Sequence, residues 1–107
     1  MATPSFALLA EQTIEDLMAR IEAVDALANL DLDLIDGVLT LEFEDGSKLI
    51  LNRQEPLSQL WLASPEGPAH YGYDAQAGEW HDDKTGESLL ATLERVLGQK
   101  VGVPVRL

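Results

Sequence analysis

Hydrophobic and polar positions follow two rhythms along this chain, and the rhythms divide it into helix, sheet and helix. Phe6, Ala10, Ile14, Leu17, Ile21 and Val24 recur in steps of three and four, the stripe of an amphipathic helix. Thr3 and Pro4 offer an N-cap and a first helical residue, so the predicted helix runs from about 4 to 26. After Asn29 the period drops to two. Leu30-Asp31-Leu32-Asp33-Leu34-Ile35-Asp36-Gly37 reads as a strand with leucines inward and Asp31 and Asp33 outward, closed by an Asp-Gly turn. Thr85-Gly86-Glu87 opens a second predicted helix with Thr85 as cap. Its buried stripe is Leu89, Leu90, Leu93, Val96 and Leu97, and Gly98 is its stop. The tail from Val101 to Leu107 is predicted to be extended and to lie against the helices.

Between the helices the strands can be read for register. A two-residue loop at Asp45-Gly46 would mix the faces of its hairpin. A three-residue loop, Glu44-Asp45-Gly46 with Gly46 left-handed, pairs Leu41 with Leu49 and Leu39 with Leu51 and sets Glu42 opposite Lys48. Gln54-Glu55-Pro56 interrupts the sheet, and Ser64-Pro65-Glu66-Gly67-Pro68 is a turn. Ala69 to Tyr73 and Gly78 to His81 are two further short strands around the Asp74 to Ala77 loop. Alternation sends Leu49, Leu51, Leu60 and Leu62 to one face. It sends Lys48, Ile50, Asn52, Gln59, Trp61 and Ala63 to the other. A large ring on an open face among amides resembles a partner-binding hot spot. It is equally readable as a sheet-stabilising pair with Ile50. The expected architecture is α+β: two helices packed on one face of an antiparallel sheet, over one domain spanning 1–107.

Charge adds a polarity. The net charge is −12, and residues 1 to 45 hold eleven acids against a single base, Arg20. Glu11, Glu15, Glu22 and Asp25 fall on one line of the predicted helix beside its buried stripe, interrupted only by Met18. The end of that helix and the first strand should bring Glu22, Asp25, Asp31 and Asp33 near one another. Such a balance argues against nucleic acid and anionic membranes and favours cations or a basic protein surface. The chain has no cysteine, which removes disulfides, a thiolate nucleophile and the usual ligands of structural zinc and iron–sulfur clusters. With no basic, apolar leader at its start and no run near the ~20 apolar residues of a membrane span, the expectation is a cytoplasmic protein.

These residues resemble the frataxin family, in its bacterial branch, over the whole length. The specific part is DGSKLILNRQEPLSQLWLASPEGPAHYGY, followed by Glu79-Trp80 and Thr85-Gly86-Glu87. The family's Asn-x-Gln-x-Pro signature stands as Asn52-Arg53-Gln54-Glu55-Pro56, and its Gln-hydrophobic-Trp-Leu strand as Gln59-Leu60-Trp61-Leu62. The resemblance implies an α-β-α sandwich and a regulatory role in iron–sulfur cluster assembly. It implies weak binding of iron, Fe2+ or Fe3+, along an acidic ridge, and docking on the cysteine desulfurase and the scaffold protein, whose rate is modulated. By position the ridge is Glu11, Glu15, Glu22, Asp25, Asp31 and Asp33, and the partner face is Asn52, Gln54, Gln59 and Trp61. His70 stands where some relatives carry an Arg on that face. Met18, Ala19, Ala23 and Leu27 occupy positions often acidic in relatives, so this ridge is thinner. A monomer is expected, with iron-induced oligomers as an open alternative.

Carboxylates are hard oxygen donors suited to iron, calcium and manganese. High affinity needs converging ligands with a fixed outer shell, which a surface stripe does not offer, so binding should be weak. His70 and His81 lie far downstream and read as surface or sheet histidines. No Ser/His/Asp spacing or nucleotide loop is visible. A regulatory binding module is the preferred class. The alternatives are an iron chaperone or donor, and a ferroxidase, which would need paired carboxylates bridging two irons.

Overall fold

The computed structural model describes residues 5–107. The expected cap at Thr3 and Pro4 lies outside them, and the N-cap of the first helix is Ser5, whose hydroxyl accepts the Leu8 amide at 3.2 Å. Helix α1 runs Phe6–Glu22 and stops short of the predicted 26. The Ala23 amide is shared between the carbonyls of Ala19 and Arg20, which tightens the last turn. Val24 is then extended, and a 3-10 turn, Asp25–Leu27, buries Leu27 in the core. Leaving the helix there buries Leu27 beside Leu30 and Leu32, at the start of the first strand.

Six strands follow: β1 Asp31–Ile35, β2 Val38–Glu42, β3 Lys48–Gln54, β4 Gln59–Ser64, β5 Gly67–Asp74 and β6 Glu79–Asp82. They form one antiparallel sheet in strictly sequential order. The β2–β3 register is the predicted one, with Leu39 opposite Leu51, Leu41 opposite Leu49 and Glu42 opposite Lys48. Phe43 and Ser47 close the three-residue loop by a 2.8 Å amide–carbonyl bond, and Gly46 takes φ +86°, a conformation glycine adopts without steric cost. Between β3 and β4, Glu55–Leu57 forms a 3-10 turn where the Pro56 break was expected.

Helix α2, Leu89–Val101, departs from its predicted ends. Ser88, not Thr85, is the cap, accepting the Ala91 amide at 3.1 Å. The chain after β6 folds back and stays extended, with Asp82 donating to the Glu87 carbonyl and a bridge from His81 to Ser88. Helical geometry cannot begin before that bridge is released. Thr85 instead braces the turn by accepting the Glu87 amide. Gly98 is not a stop but an interior residue. A Cβ there would sit 3.3 Å from the Val103 carbonyl, so its missing side chain is where the tail crosses the helix. The helix ends at Gly102, with φ +77°. Leu90, expected in the buried stripe, is 36% exposed, and Thr92 is buried in its stead. The Tyr71 hydroxyl donates to Thr92 Oγ1 at 2.9 Å, and Thr92 Oγ1 lies 2.7 Å from Glu87 Oε1 as a donor.

Both helices lie on one face of the sheet. Ala10, Ile14, Leu17 and Ile21 of α1 and Leu89, Leu93, Val96 and Leu97 of α2 share one core with the inward leucines of β2, β3 and β4. Val105 of the tail joins them, and the Leu107 amide donates to Glu94. This is the two-layer sandwich expected from the pattern, and it leaves the other sheet face open.

Candidate functional site

Helix α1 lies along the β1 edge in the opposite sense. Glu22 borders a hollow with Leu30 and Leu32, at the start of β1, while Glu11 and Glu15 border another with Leu34 and Asp36, at its end. Leu32 and Leu34 point toward the helices, so Asp31 and Asp33 project from the opposite side of the same strand. The acids thus flank one sheet edge from both sides. All six predicted ridge residues are exposed, and none of them is in an ion pair among the described residues. Asp25 leaves the helical line because it sits in the 3-10 turn. Among the described residues, no three Asp, Glu or His side chains converge into a group that could hold a metal ion.

The ridge nevertheless has a cationic neighbour that the helical wheel did not show. Arg53 shares the hollow of Glu11 and Glu15, and its guanidinium lies 3.4 Å from the Ala7 carbonyl and 3.2 Å from Glu55. Its parity with Leu49 and Leu51 was the available signal, since alternation sends it inward beneath the start of α1.

On the open face Trp61 lies between Asn52 on β3 and His70 on β5. Ile50 is opposite Ala63, so the pairing of Trp61 with Ile50 is replaced by a different one. The indole stacks on the His70 ring, with centroids 4.4 Å apart and planes at 22°. Its Nε1 donates to Gln59 Oε1 at 3.0 Å, and Gln59 Nε2 donates to Asp83 Oδ2 at 3.3 Å. Gln54 Nε2 reaches Asn52 Oδ1 at 3.5 Å. The five predicted partner-face residues therefore share one face: Asn52 with Gln54 and Gln59 with Trp61 form two hydrogen-bonded pairs, and His70 joins the second by stacking. Ile35, 65% exposed, extends the same face to the β1 edge.

A sequence model of the frataxin-like domain family matches residues 1–103. The chain belongs to this family. It is 64% identical over 107 residues, the whole of both chains, to the iron-sulfur cluster assembly protein CyaY of Thioalkalivibrio sulfidiphilus. The solved frataxin of Psychromonas ingrahamii matches with a TM-score of 0.82 and 39% identity, covering 94% of this chain and 92% of that one. Trimeric frataxin from Saccharomyces cerevisiae, complexed with ferrous iron, matches with a TM-score of 0.69 and 27% identity, covering 95% and 89%. The frataxin sandwich is therefore the fold on which both candidate surfaces are mounted.

Within this frataxin scaffold the two histidines are engaged by carboxylates. His81 has Glu79 3.0 Å from Nε2 and Asp74 3.6 Å from Nδ1, and His70 Nδ1 lies 3.8 Å from Asp83. Asp83 went unnoticed in the sequence because it belongs to no strand or helix and meets Gln59 across 24 residues. Among the described residues, no helix is long and apolar enough to cross a membrane.

Proposed function

We propose that this protein regulates iron–sulfur cluster assembly by docking through the Trp61 face on a cysteine desulfurase and scaffold complex and modulating its rate. The observation that carries this reading is the stacked, hydrogen-bonded Trp61 on the sheet face that the core does not use. Tryptophan is among the residues enriched at the hot spots that carry most of an interface's binding energy. The assembly role draws on the CyaY relative, identical at 64% of positions over the full length. With no cysteine of its own, the chain cannot hold a conventional cluster by thiolates, so it acts on proteins that do.

Iron is the cargo or signal of this reading. The exposed carboxylates of Glu11, Glu15, Glu22, Asp25, Asp31 and Asp33 are suitable donors, and the lack of a converging trio among the described residues fits weak, multi-site binding. The same charge would steer the protein to a basic partner surface, with association weakening as salt rises. An iron-donor reading draws on the yeast frataxin complexed with ferrous iron. The test is cluster formation by a reconstituted desulfurase and scaffold, with and without this protein, at several iron levels. The docking reading expects a changed rate that Trp61→Ala abolishes. A rate that the wild-type protein leaves untouched at every iron level would overturn it. Cluster yield that depends on the ridge acids but not on Trp61 would favour the donor.

A further inference from the structure

Four side chains close a ring on the open face. The Trp61 indole donates to Gln59 Oε1 at 3.0 Å, and Gln59 Nε2 donates to Asp83 Oδ2 at 3.3 Å. That same carboxylate oxygen lies 3.8 Å from His70 Nδ1. The His70 ring returns to Trp61 by stacking, 4.4 Å between centroids. The chemistry of the ring fixes its direction. An indole N–H can only donate and a carboxylate can only accept, so the Gln59 amide between them has one satisfying orientation. Without the carboxylate, the amide could turn its NH2 toward the indole N–H, donor against donor. Asp83 is thus the group that tells Gln59 which end to offer Trp61.

We propose that Asp83 is a positioning residue for the docking face: acting through Gln59 and His70, it sets the plane of Trp61 before a partner arrives. This rests on the docking reading above. A side chain already ordered in its bound pose loses less freedom on association. Asp83 is suited to the task because its backbone is seated independently. Its amide donates to the His70 carbonyl at 2.9 Å, so removing the carboxylate leaves the turn after β6 anchored. The residue is otherwise exposed, and nothing in the core depends on it.

The test reads the two tryptophan indole N–H signals by proton–nitrogen NMR and affinity for the desulfurase–scaffold complex. Trp80, whose indole donates to Thr13 at 3.1 Å on the other side of the sheet, is the internal control. In Asp83→Ala, the Trp61 signal should move and broaden, the Trp80 signal should stay, and affinity should fall about fivefold, the scale of one hydrogen bond. Asp83→Asn, which keeps a carbonyl acceptor for Gln59, should restore the Trp61 signal and most of the affinity. A Trp61 signal unmoved in Asp83→Ala overturns the inference. So does undiminished affinity in Asp83→Ala where Trp61→Ala clearly loses it, or an Asn variant as impaired as the Ala variant. If Trp61→Ala itself binds normally, the docking reading has failed, and a role for Asp83 in docking falls with it whatever the indole signals do.

Discussion

Trp61 and Trp80 sit on opposite faces of one sheet, and their surroundings differ accordingly. Trp80 is 5% exposed, donates to Thr13, and packs edge-on against Phe6 and obliquely against Tyr73. Its removal should cost about 3–5 kcal/mol, as for other buried aromatics. Trp61 keeps one side open, so Trp61→Ala should cost about 1 kcal/mol, the scale of a single aromatic pair. Urea unfolding of both variants checks the contrast; equal losses would make Trp61 a core residue. The face of Trp61 was legible because a period of two leaves only two choices. Its true neighbour was not. His70 and Asp83 reach it through β5 and the turn after β6, and no local pattern states which strand lies beside which residue.

At the scale of elements, apolar spacing predicted that helices and strands exist better than it predicted where they end. The β2–β3 hairpin was readable to the residue, since both parity and loop chemistry pointed to Gly46. The start of α2 was not, because an extended bridge from His81 to Ser88 overrides the cap signal at Thr85. Ser88→Ala should therefore cost about 1 kcal/mol, as N-cap losses do, and Thr85→Ala less than half of that. Thermal unfolding of the two variants distinguishes them. Along the β1 edge, the acids have no ion-pair partner among the described residues, so they are expected to repel one another. Glu22→Gln with Asp25→Asn and Asp31→Asn should raise the melting temperature in low salt, because neutralising exposed like charges relieves their mutual repulsion. A lower melting temperature would mean that these acids make stabilising contacts of their own.

For the whole molecule, charge sets the response to pH. Arg95 bridges Glu66 on the β4–β5 turn and Glu87 at the foot of α2. The guanidinium holds both carboxyls below their usual value of 4.5. The Lys100 ammonium holds Asp45 far below 3.8 in the same way. Groups lowered in the folded state stabilise it fully above their unfolded values, and that contribution is lost as pH falls through the folded ones. Solvent screening keeps each contribution small. Arg95→Met should thus reduce stability at pH 7 and flatten the decline below about pH 4.5, the usual range of a free carboxyl. Chemical unfolding across pH 2.5–7 measures both effects. A steeper acid decline in the variant would contradict the assignment.

The sequential order of the sheet has a consequence in time. Each strand bonds only to its neighbours along the chain, so the sheet can assemble hairpin by hairpin, closing short loops as it goes. Helix α1 has no such shortcut. Its bonds to Arg53 and Trp80 span 46 and 67 residues, and its acids resist approach to an already acidic edge. The first of the described elements in chain order is then expected to be the last to find its place. A core change in this helix, such as Ile14→Val, is expected to speed unfolding while leaving refolding nearly unaltered, the signature of a contact formed after the barrier. Stopped-flow refolding slowed in proportion to the lost stability would instead place α1 in the nucleus.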